Sequence, residues 1–325
     1  MISVSGQVSP SLTVIISTWN SRRYLKQCLE SLLALGIKDL ETIVVDSAST
    51  DGTTEYLTRM SVSDPKLNLR PILMKRRVFW TEANEIGIEH STGKWICLSN
   101  PDIVFNKTFR ILLDYCFSHE DAVVAPQLIY PDGKPQLPVR LLGPRYLVVY
   151  SYAGKLLFRI LRQNYRFQVP YISDGSPIKV DHPMGSLFIV SRRTLEKLGG
   201  RLWNRGYLNG VTDSDAFYNL KVHGIPIFIL PTCRLIHFSD VVYKGGASWK
   251  DYDCWYGMIL YLRYWRMKPI SASVVFAMES MASLFLSIAF RIFKPHVKAT
   301  YSPRERVRVT SDNLRGIVDA WRFKL

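Results

Sequence analysis

The chain has few cysteines and no pattern among them: five in 325 residues, Cys28, Cys97, Cys116, Cys233 and Cys254, none in a C-x-x-C pair. That scatter argues against a disulfide framework or a thiolate metal site, and the apolar flanks read as free buried thiols in a reducing compartment. Acidic side chains are also scarce, 27 Asp and Glu against 42 Lys and Arg, a net charge of +15. Such an excess points to a polyanionic partner: nucleic acid, an anionic lipid surface or a phosphorylated substrate. The opening, MISVSGQVSP, lacks the basic and apolar regions of a signal peptide, which gives a cytoplasmic-side expectation. No G-x-G-x-x-G follows the first apolar run, which argues against a nicotinamide-binding sheet. Internal repeats and low-complexity tracts are missing too.

What is present is a large apolar fraction, 47%, ample for a packed core. In the first half, short β-branched runs alternate with helical patterns. Residues 12–17 read as a strand, SRRYLKQCLESLLALG as a helix stopped by Gly36, and ETIVVD as a second strand. Helices are expected at STDGTTEYLTRM and 80–91, and strands at 70–74 and 94–99. Strand–helix repetition with near-continuous apolar strands predicts an α/β fold, a mostly parallel central sheet with helices on both faces. Ligands of such sheets bind beyond the strand carboxyl ends. Ser17-Thr18-Trp19-Asn20, Asp46-Ser47-Ala48-Ser49 and Asn100-Pro101-Asp102 all fall there, so three polar strand ends on one rim define a candidate site. Further along, YPDGKPQ reads as a turn, GSLFIVSRR (185–193) as a strand, TDSDAFYNLKVHG as a helix ended by Gly224, and IPIFIL as a strand ending near CRLIHFSD.

From about residue 250 the pattern is helical, giving an expected division into a catalytic domain, 1–248, and a basic, amphipathic helical region, 249–325. Residues 133–173 carry seven Lys and Arg and no acid among Leu, Val, Tyr and Phe. Residues 270–293 are long enough to span a bilayer, but Glu279 sits mid-segment and the flanks are basic, with nine Lys/Arg against three Asp/Glu over 291–325. A helix lying in the headgroup region fits better than a spanning one, and a buried amphipathic hairpin is the structural alternative.

The blocks VIISTWNSRRYLKQCLESL and ETIVVDSASTDGT, with TEANEIGIEHSTGKWICLSNPDIVF, GSLFIVSRRTLEKLGG, VTDSDAFYNLKVHGIPIFILP, WYGMILYLRYWRMKP and DNLRGIVDAW, resemble the family 2 glycosyltransferases. The style is that of the rhamnosyltransferase-like members, which carry Asn-Pro-Asp where relatives have Asp-x-Asp. The resemblance implies the GT-A (nucleotide-diphospho-sugar transferase) fold. It also implies inverting transfer of rhamnose or another hexose from a nucleotide sugar to a lipid-linked or polysaccharide acceptor, in surface-glycan synthesis. On this reading Asp46, beside Thr18, Asn20 and Ser47, contacts the donor's base or ribose, and Asn84 and Asn100 belong to the same nucleotide-sugar site. Asp102 matches the carboxylate expected to meet a divalent metal, Mg2+ or Mn2+, and His237 a histidine that in some relatives adds a metal or diphosphate contact. Asp213 matches the catalytic base.

The chemistry needs such groups. A hard cation on a carboxylate and on the substrate's phosphate oxygens neutralises the departing diphosphate, and an Asp near the acceptor takes its proton. One carboxylate suffices only once the donor supplies oxygens, so metal affinity should rise sharply with nucleoside diphosphate. Bland readings stand beside these: TDSD is equally a capping box of Thr212 and Asp215, His237 a satisfied core histidine, and Arg76, Arg77 and Arg192 either phosphate ligands or a solvated face. The chain departs from the family where Thr212 replaces the Glu before the base, Asn219 an Arg, and RLWNRGYLNG the Phe-Asp-Glu stretch. Acceptor contacts are therefore expected to differ. The expected setting is the inner membrane face, peripherally bound. The alternatives are an inactive scaffold or an anionic-surface binder, with lipid favoured over nucleic acid because the charge lies beside apolar segments and no nucleic-acid motif occurs.

Overall fold

A computed structural model describes residues 11–63, 68–138, 174–239, 247–267, 269–293 and 303–325. Most of the basic 133–173 stretch lies outside them. The described residues fall into two compact units. The first lies within Met1–Arg140, Gln168–Leu202 and Ala216–Val242, the second within Leu141–Phe167, Trp203–Asp215 and Tyr243–Leu325.

The first unit is built on one sheet. In chain order it contains β1 (Leu12–Thr18), α1 (Arg22–Leu33), β2 (Leu40–Asp46), α2 (Thr53–Ser63), β3 (Leu69–Leu73), α3 (Trp80–His90) and β4 (Trp95–Ser99). There follow β5 (Ile103–Val104), α4 (Phe109–Ser118), β6 (Val123–Ile129), β7 (Ile178–Lys179), β8 (Leu187–Ser191) and α5 (Arg192–Lys197). Helix α6 (Thr212–Val222) crosses the boundary between the units, and β9 (Ile227–His237) closes the sheet. The strand order is β3-β2-β1-β4-β8-β6-β9-β5, with β7 beside β9.

The expectation of a mostly parallel sheet needs correction. Strands β3, β2, β1 and β4 are parallel, as are β6 and β9, but β8 runs antiparallel to both β4 and β6, and β5 and β7 run antiparallel to β9. The sheet is mixed. A continuous apolar run such as LFIVS, buried at every position in β8, reports that both faces are covered and says nothing of direction. The strand expected at 185–193 is also shorter, because Ser191 accepts the Thr194 N–H and starts α5, which takes Arg192 and Arg193.

Alternation decides which face each residue serves. Leu12, Val14 and Ile16 join Leu25, Cys28, Leu29 and Leu32 of α1 and Phe109, Leu112 and Cys116 of α4 in the core on one face. On the other, Ile15 meets α3 so closely that a Cβ on Gly87 would lie 2.3 Å from its Cγ2. That contact seats α3 on β1 and fixes the height of Trp80 and Asn84. Phe188 of β8 packs edge-on against Phe217 of α6 at 5.2 Å on this face.

One ion cluster pins β1 and β2 to the segment before β4. Glu41, buried in β2, accepts from Thr13 Oγ1 at 2.6 Å, from the Thr92 N–H at 2.9 Å and from Arg70 at 2.8 Å. Burial alone would raise the Glu41 pKa, but these hydrogen bonds and the Arg70 charge outweigh it and hold the carboxyl below its ordinary range.

The second unit contains α7 (Ala247–Tyr264), α8 (Pro269–Phe293) and α9 (Pro303–Arg322). Gly316 of α9 is seated against α7, its Cβ position lying 2.8 Å from the Tyr252 carbonyl oxygen. Trp255 and Phe276 join α7 to α8 edge-on at 4.1 Å. The outward side of α8 is apolar too: Ile270, Val274, Met278, Met281 and Phe285, spaced by three and four residues, form one exposed stripe. Among the described residues no helix is long and apolar enough to cross a membrane.

The lowered pKa of Glu41 sets a pH dependence. Its stabilising share is complete above the unfolded-state value of about 4.3 and is lost as pH falls through the lower folded value. Glu41→Gln should therefore lower the melting temperature at neutral pH and flatten its fall between about pH 6 and pH 3, as read by calorimetry.

Candidate functional site

The carboxyl ends of β1, β2 and β4 lie side by side, Thr18 in register with Asp46 and Ile16 with Ser99. Asp46 is buried, and its two oxygens accept from Ser49 Oγ and Thr54 Oγ1, each at 2.5 Å. The donors a strand-end carboxylate requires thus come first from the turn and helix that follow it. Asn20, in the left-handed region at φ 49°, takes Ser49 Oγ on its N–H at 2.8 Å and offers Oδ1 to the Thr50 N–H at 2.7 Å, so the first two strand ends are laced together. Ser47 turns inward: its hydroxyl accepts the Val78 N–H at 2.7 Å and donates to the Val78 oxygen at 2.6 Å. Asn84 donates to the Trp80 oxygen at 2.7 Å, and Trp80 in turn donates Nε1 to Asn100 Oδ1 at 3.1 Å.

Of the three arginines weighed as phosphate ligands, Arg192 is committed inside the fold and Arg76 lies in an exposed ion pair. Arg192 donates to the carbonyls of Gly93 and Ser91 at 3.0 and 2.9 Å, and Arg76 pairs with Glu82. Arg77 is exposed and stacks over the Trp19 ring at 3.6 Å, beside the end of β1.

Asp102 and His237 are brought together by backbone pairing. Strand β5 starts just after Asp102 and pairs antiparallel with the end of β9, Ile103 opposite His237, while the Phe238 N–H donates to the Asp102 carbonyl at 3.2 Å. His237 Nε2 then lies 3.4 Å from Asp102 Oδ1, both side chains almost fully buried. Gln136 Nε2 donates to the His237 carbonyl at 2.9 Å and to Ser239 Oγ at 3.2 Å, which turns its Oε1 toward His237 Nδ1 at 2.7 Å. Gln136 Oε1 is an acceptor, so Nδ1 donates to it and Nε2 is the nitrogen turned toward Asp102.

Buried polar atoms without a hydrogen bond gather in this unit's candidate site. Thr18 Oγ1, Asn84 Oδ1, both Asp102 carboxylate oxygens and His237 Nε2 are all unsatisfied. Such atoms are costly unless something else meets them. A hard divalent cation fits the Asp102–His237 pair: the donors are one carboxylate and one imidazole lone pair. No cluster of three or more His, Cys, Asp or Glu that could hold a metal occurs among the described residues.

In the second unit, Asp213 is half-buried in the first turn of α6, with Oδ1 accepting the Ser214 N–H at 2.8 Å. The capping box expected of Thr212 and Asp215 does not form. Thr212 is already helical, and the Asp215 carboxylate turns away into a buried cluster, where it accepts from the Asn204 N–H and Trp265 Nε1, both at 2.6 Å, and from the Tyr207 hydroxyl at 3.1 Å. A cap acceptor would need its oxygens free, and four other donors, the Asn204 side-chain amide included, claim them. Burial raises the Asp215 pKa against the pull of these bonds. No site reading of the sequence picks out Gln136 or Trp80, and Asp215 is read there only as part of a capping box.

The chain belongs to glycosyl transferase family 2, whose sequence profile matches residues 13–199. It is 30% identical over 94 residues to an uncharacterized glycosyltransferase of Nostoc sp., 29% of each chain. It is 25% identical over 126 residues to the teichoic acid poly(glycerol phosphate) polymerase of Staphylococcus epidermidis, 38% of this chain and 17% of that one. The aligned segments thus span well under half the length of these relatives. Among solved structures, the mannosyltransferase PcManGT of Pyrobaculum calidifontis, in complex with GDP-Man and Mn2+, superposes with a TM-score of 0.53 at 17% identity, covering 98% of this chain and 89% of that one. GalNAc-T7 with UDP, GalNAc and Mn2+ gives 0.59 at 12% identity, covering 96% and 56%. The shared architecture is GT-A, a mixed sheet with flanking helices.

The two-way bond between Ser47 and Val78 assigns that hydroxyl to the fold. Ser47→Ala leaves the Val78 N–H buried without an acceptor and should cost about 1–3 kcal/mol, read as a lower urea midpoint, with nucleoside diphosphate affinity changed less than about twofold.

Proposed function

We propose that the chain is a metal-assisted, inverting glycosyltransferase that moves rhamnose or another hexose from a nucleoside-diphosphate sugar to a hydroxyl of a lipid-linked or polysaccharide acceptor. The observation that carries this reading is the buried Asp102–His237 pair, unsatisfied on its facing atoms in a family 2 glycosyltransferase. A carboxylate and an oriented imidazole are suited to a divalent ion shared with a diphosphate, and the Mn2+ in the named complexes of two structural neighbours supports that choice. When bound, the ion neutralises charge on the leaving diphosphate. Thr18, Asn20, Asp46, Asn84 and Asn100 are the donor-site residues in this proposal, with Ser47 supporting them from beneath.

Asp213 is the proposed base. The acceptor oxygen attacks the anomeric carbon from the face opposite the diphosphate, the carbon–oxygen bond to the diphosphate breaks with its electron pair, and the acceptor proton passes to the Asp213 carboxylate. Attack from the far face inverts the anomeric centre. The similarity to a teichoic acid polymerase supports a surface-glycan acceptor. The exposed stripe on α8, with Arg263, Arg266 and Lys268 preceding it in sequence, supports peripheral attachment to an anionic membrane face.

Purified protein with Mn2+ should transfer a sugar from one member of a nucleotide-sugar panel and lose this on chelation. Asp213→Asn should lower kcat by about 10²–10⁴-fold with donor affinity kept, and Asp102→Asn should abolish the rise in metal affinity caused by nucleoside diphosphate. Absence of both transfer and hydrolysis across the panel would overturn the assignment. Anionic vesicles should retain the protein in a salt-dependent manner, and Val274→Asp with Met278→Asp should release it; equal retention of that variant would remove the membrane reading.

A further inference from the structure

The segment Asn204–Gly210, which leads into α6, is held by the side chains of Asn204 and Tyr207, both bonded to Asp215, and by a series of contacts to its backbone. Tyr264 donates its hydroxyl to the Arg205 carbonyl at 2.8 Å and Tyr256 to the Gly206 carbonyl at 2.9 Å. Asp253, one turn earlier on α7, accepts the Asn209 N–H at 3.3 Å and the Gly210 N–H at 2.8 Å. The Asp253 side chain is fully buried, and burial raises its pKa against those two bonds and a third from the Asn209 side chain. Helix α7 also approaches without any side chain between: a Cβ on Gly257 would lie 2.4 Å from the Gly210 oxygen.

Immediately after Gly210, Val211 stands at φ 67°, a left-handed conformation that a β-branched residue rarely adopts. Its carbonyl nonetheless accepts the Asp215 N–H at 3.0 Å, the first bond of α6. Asp213 lies two residues beyond. Strained backbone persists where its surroundings over-determine it, and it concentrates at functional sites. Here the surroundings are the Asp253 carboxylate and the close face of α7. Burying an acceptor-only carboxylate is a costly way to stabilise a loop. Its distinctive contribution is to fix two consecutive N–H groups at one point.

We propose that Asp253 is a positioning residue for the reaction: by holding Asn209 and Gly210 it forces the chain through the left-handed turn at Val211, and that turn sets where α6 begins and where Asp213 points. This rests on Asp213 being the base. Asp253 touches no reacting atom and works only through the turn.

The test is steady-state kinetics on full-length Asp253→Ala, Asp253→Asn, Val211→Gly and the Asp253→Ala/Val211→Gly double variant, with the folded fraction counted by calorimetric titration of nucleoside diphosphate. A misplaced group can cost roughly a hundredfold in rate. Per folded molecule, Asp253→Ala should lose about that much in kcat with donor KM within about twofold, and Asp253→Asn, which keeps one acceptor, should lose less. Glycine adopts positive φ without strain, so Val211→Gly in the Asp253→Ala background should recover at least about tenfold of the loss. If Asp253→Ala does not fold, the same split is read in Asp253→Asn. A merely structural role predicts a lower melting temperature with kcat per folded molecule unchanged and no rescue by glycine; that result overturns the proposal. If the wild-type protein transfers no sugar, or Asp213→Asn retains full kcat, it is the assignment of the base that fails. Wild-type transfer, a disabled Asp213→Asn and an undiminished Asp253→Ala would together remove the positioning role alone.

Discussion

Two residues of strand, Ile103 and Val104, pair with Ile236 and His237, and the chemistry of the first unit depends on that short antiparallel contact. Without it Asp102 would end a turn and His237 would end a strand, each needing its own partner. With it, a carboxylate and an imidazole share one buried position, with the imidazole proton drawn to the opposite side by Gln136. The pair leaves strong acceptors unmet in a dry environment. A fold built for stability alone would fill such a place with apolar atoms. Keeping it costs stability unless another group meets those atoms.

Other buried carboxylates are handled in the opposite way, Glu41 and Asp46 in the first unit among them. Asp215 and Asp253 are as buried as Asp102, yet both are surrounded by donors: N–H groups of the backbone, an indole and a tyrosine hydroxyl. Of the five buried acids among the described residues, Asp102 is left without a hydrogen bond, while Glu41, Asp46, Asp215 and Asp253 are each met by donors. Hydrogen-bond partners, rather than burial, distinguish a group held for a ligand from one spent on shape.

Much of this was legible in the sequence and some could not have been. Strands β1, β2 and β4 are near-continuous apolar runs, and their polar ends fall where periodicity places them. The sheet's mixed direction was hidden because burial on both faces looks alike for either orientation. Gln136 looked like the tail of a turn, since nothing local relates it to a histidine 101 residues away. Asp215 fitted a capping pattern three residues after Thr212, but capping depends on the oxygen being free, which is a tertiary matter. Ser47 stood at the right strand end, and only its contact with Val78, 31 residues on, shows that it faces inward. Local patterns gave positions; long-range partners gave roles.

The loop Asn204–Gly210 has a consequence for how this protein can change over evolutionary time. Tyr207 and Gly206 are fixed by their own requirements, a hydroxyl on Asp215 and a φ of 96° against the Phe323 ring. The bonds to the carbonyls of Arg205 and Gly206 and to the N–H groups of Asn209 and Gly210 instead use backbone atoms. Mutations at the exposed Arg205 or the half-buried Leu208 therefore alter the chemistry displayed without erasing the bonds that fix the backbone. Shape and content are uncoupled at those two positions. A lineage can rewrite the outward-facing letters of this loop one at a time while inheriting its geometry intact from helix α7.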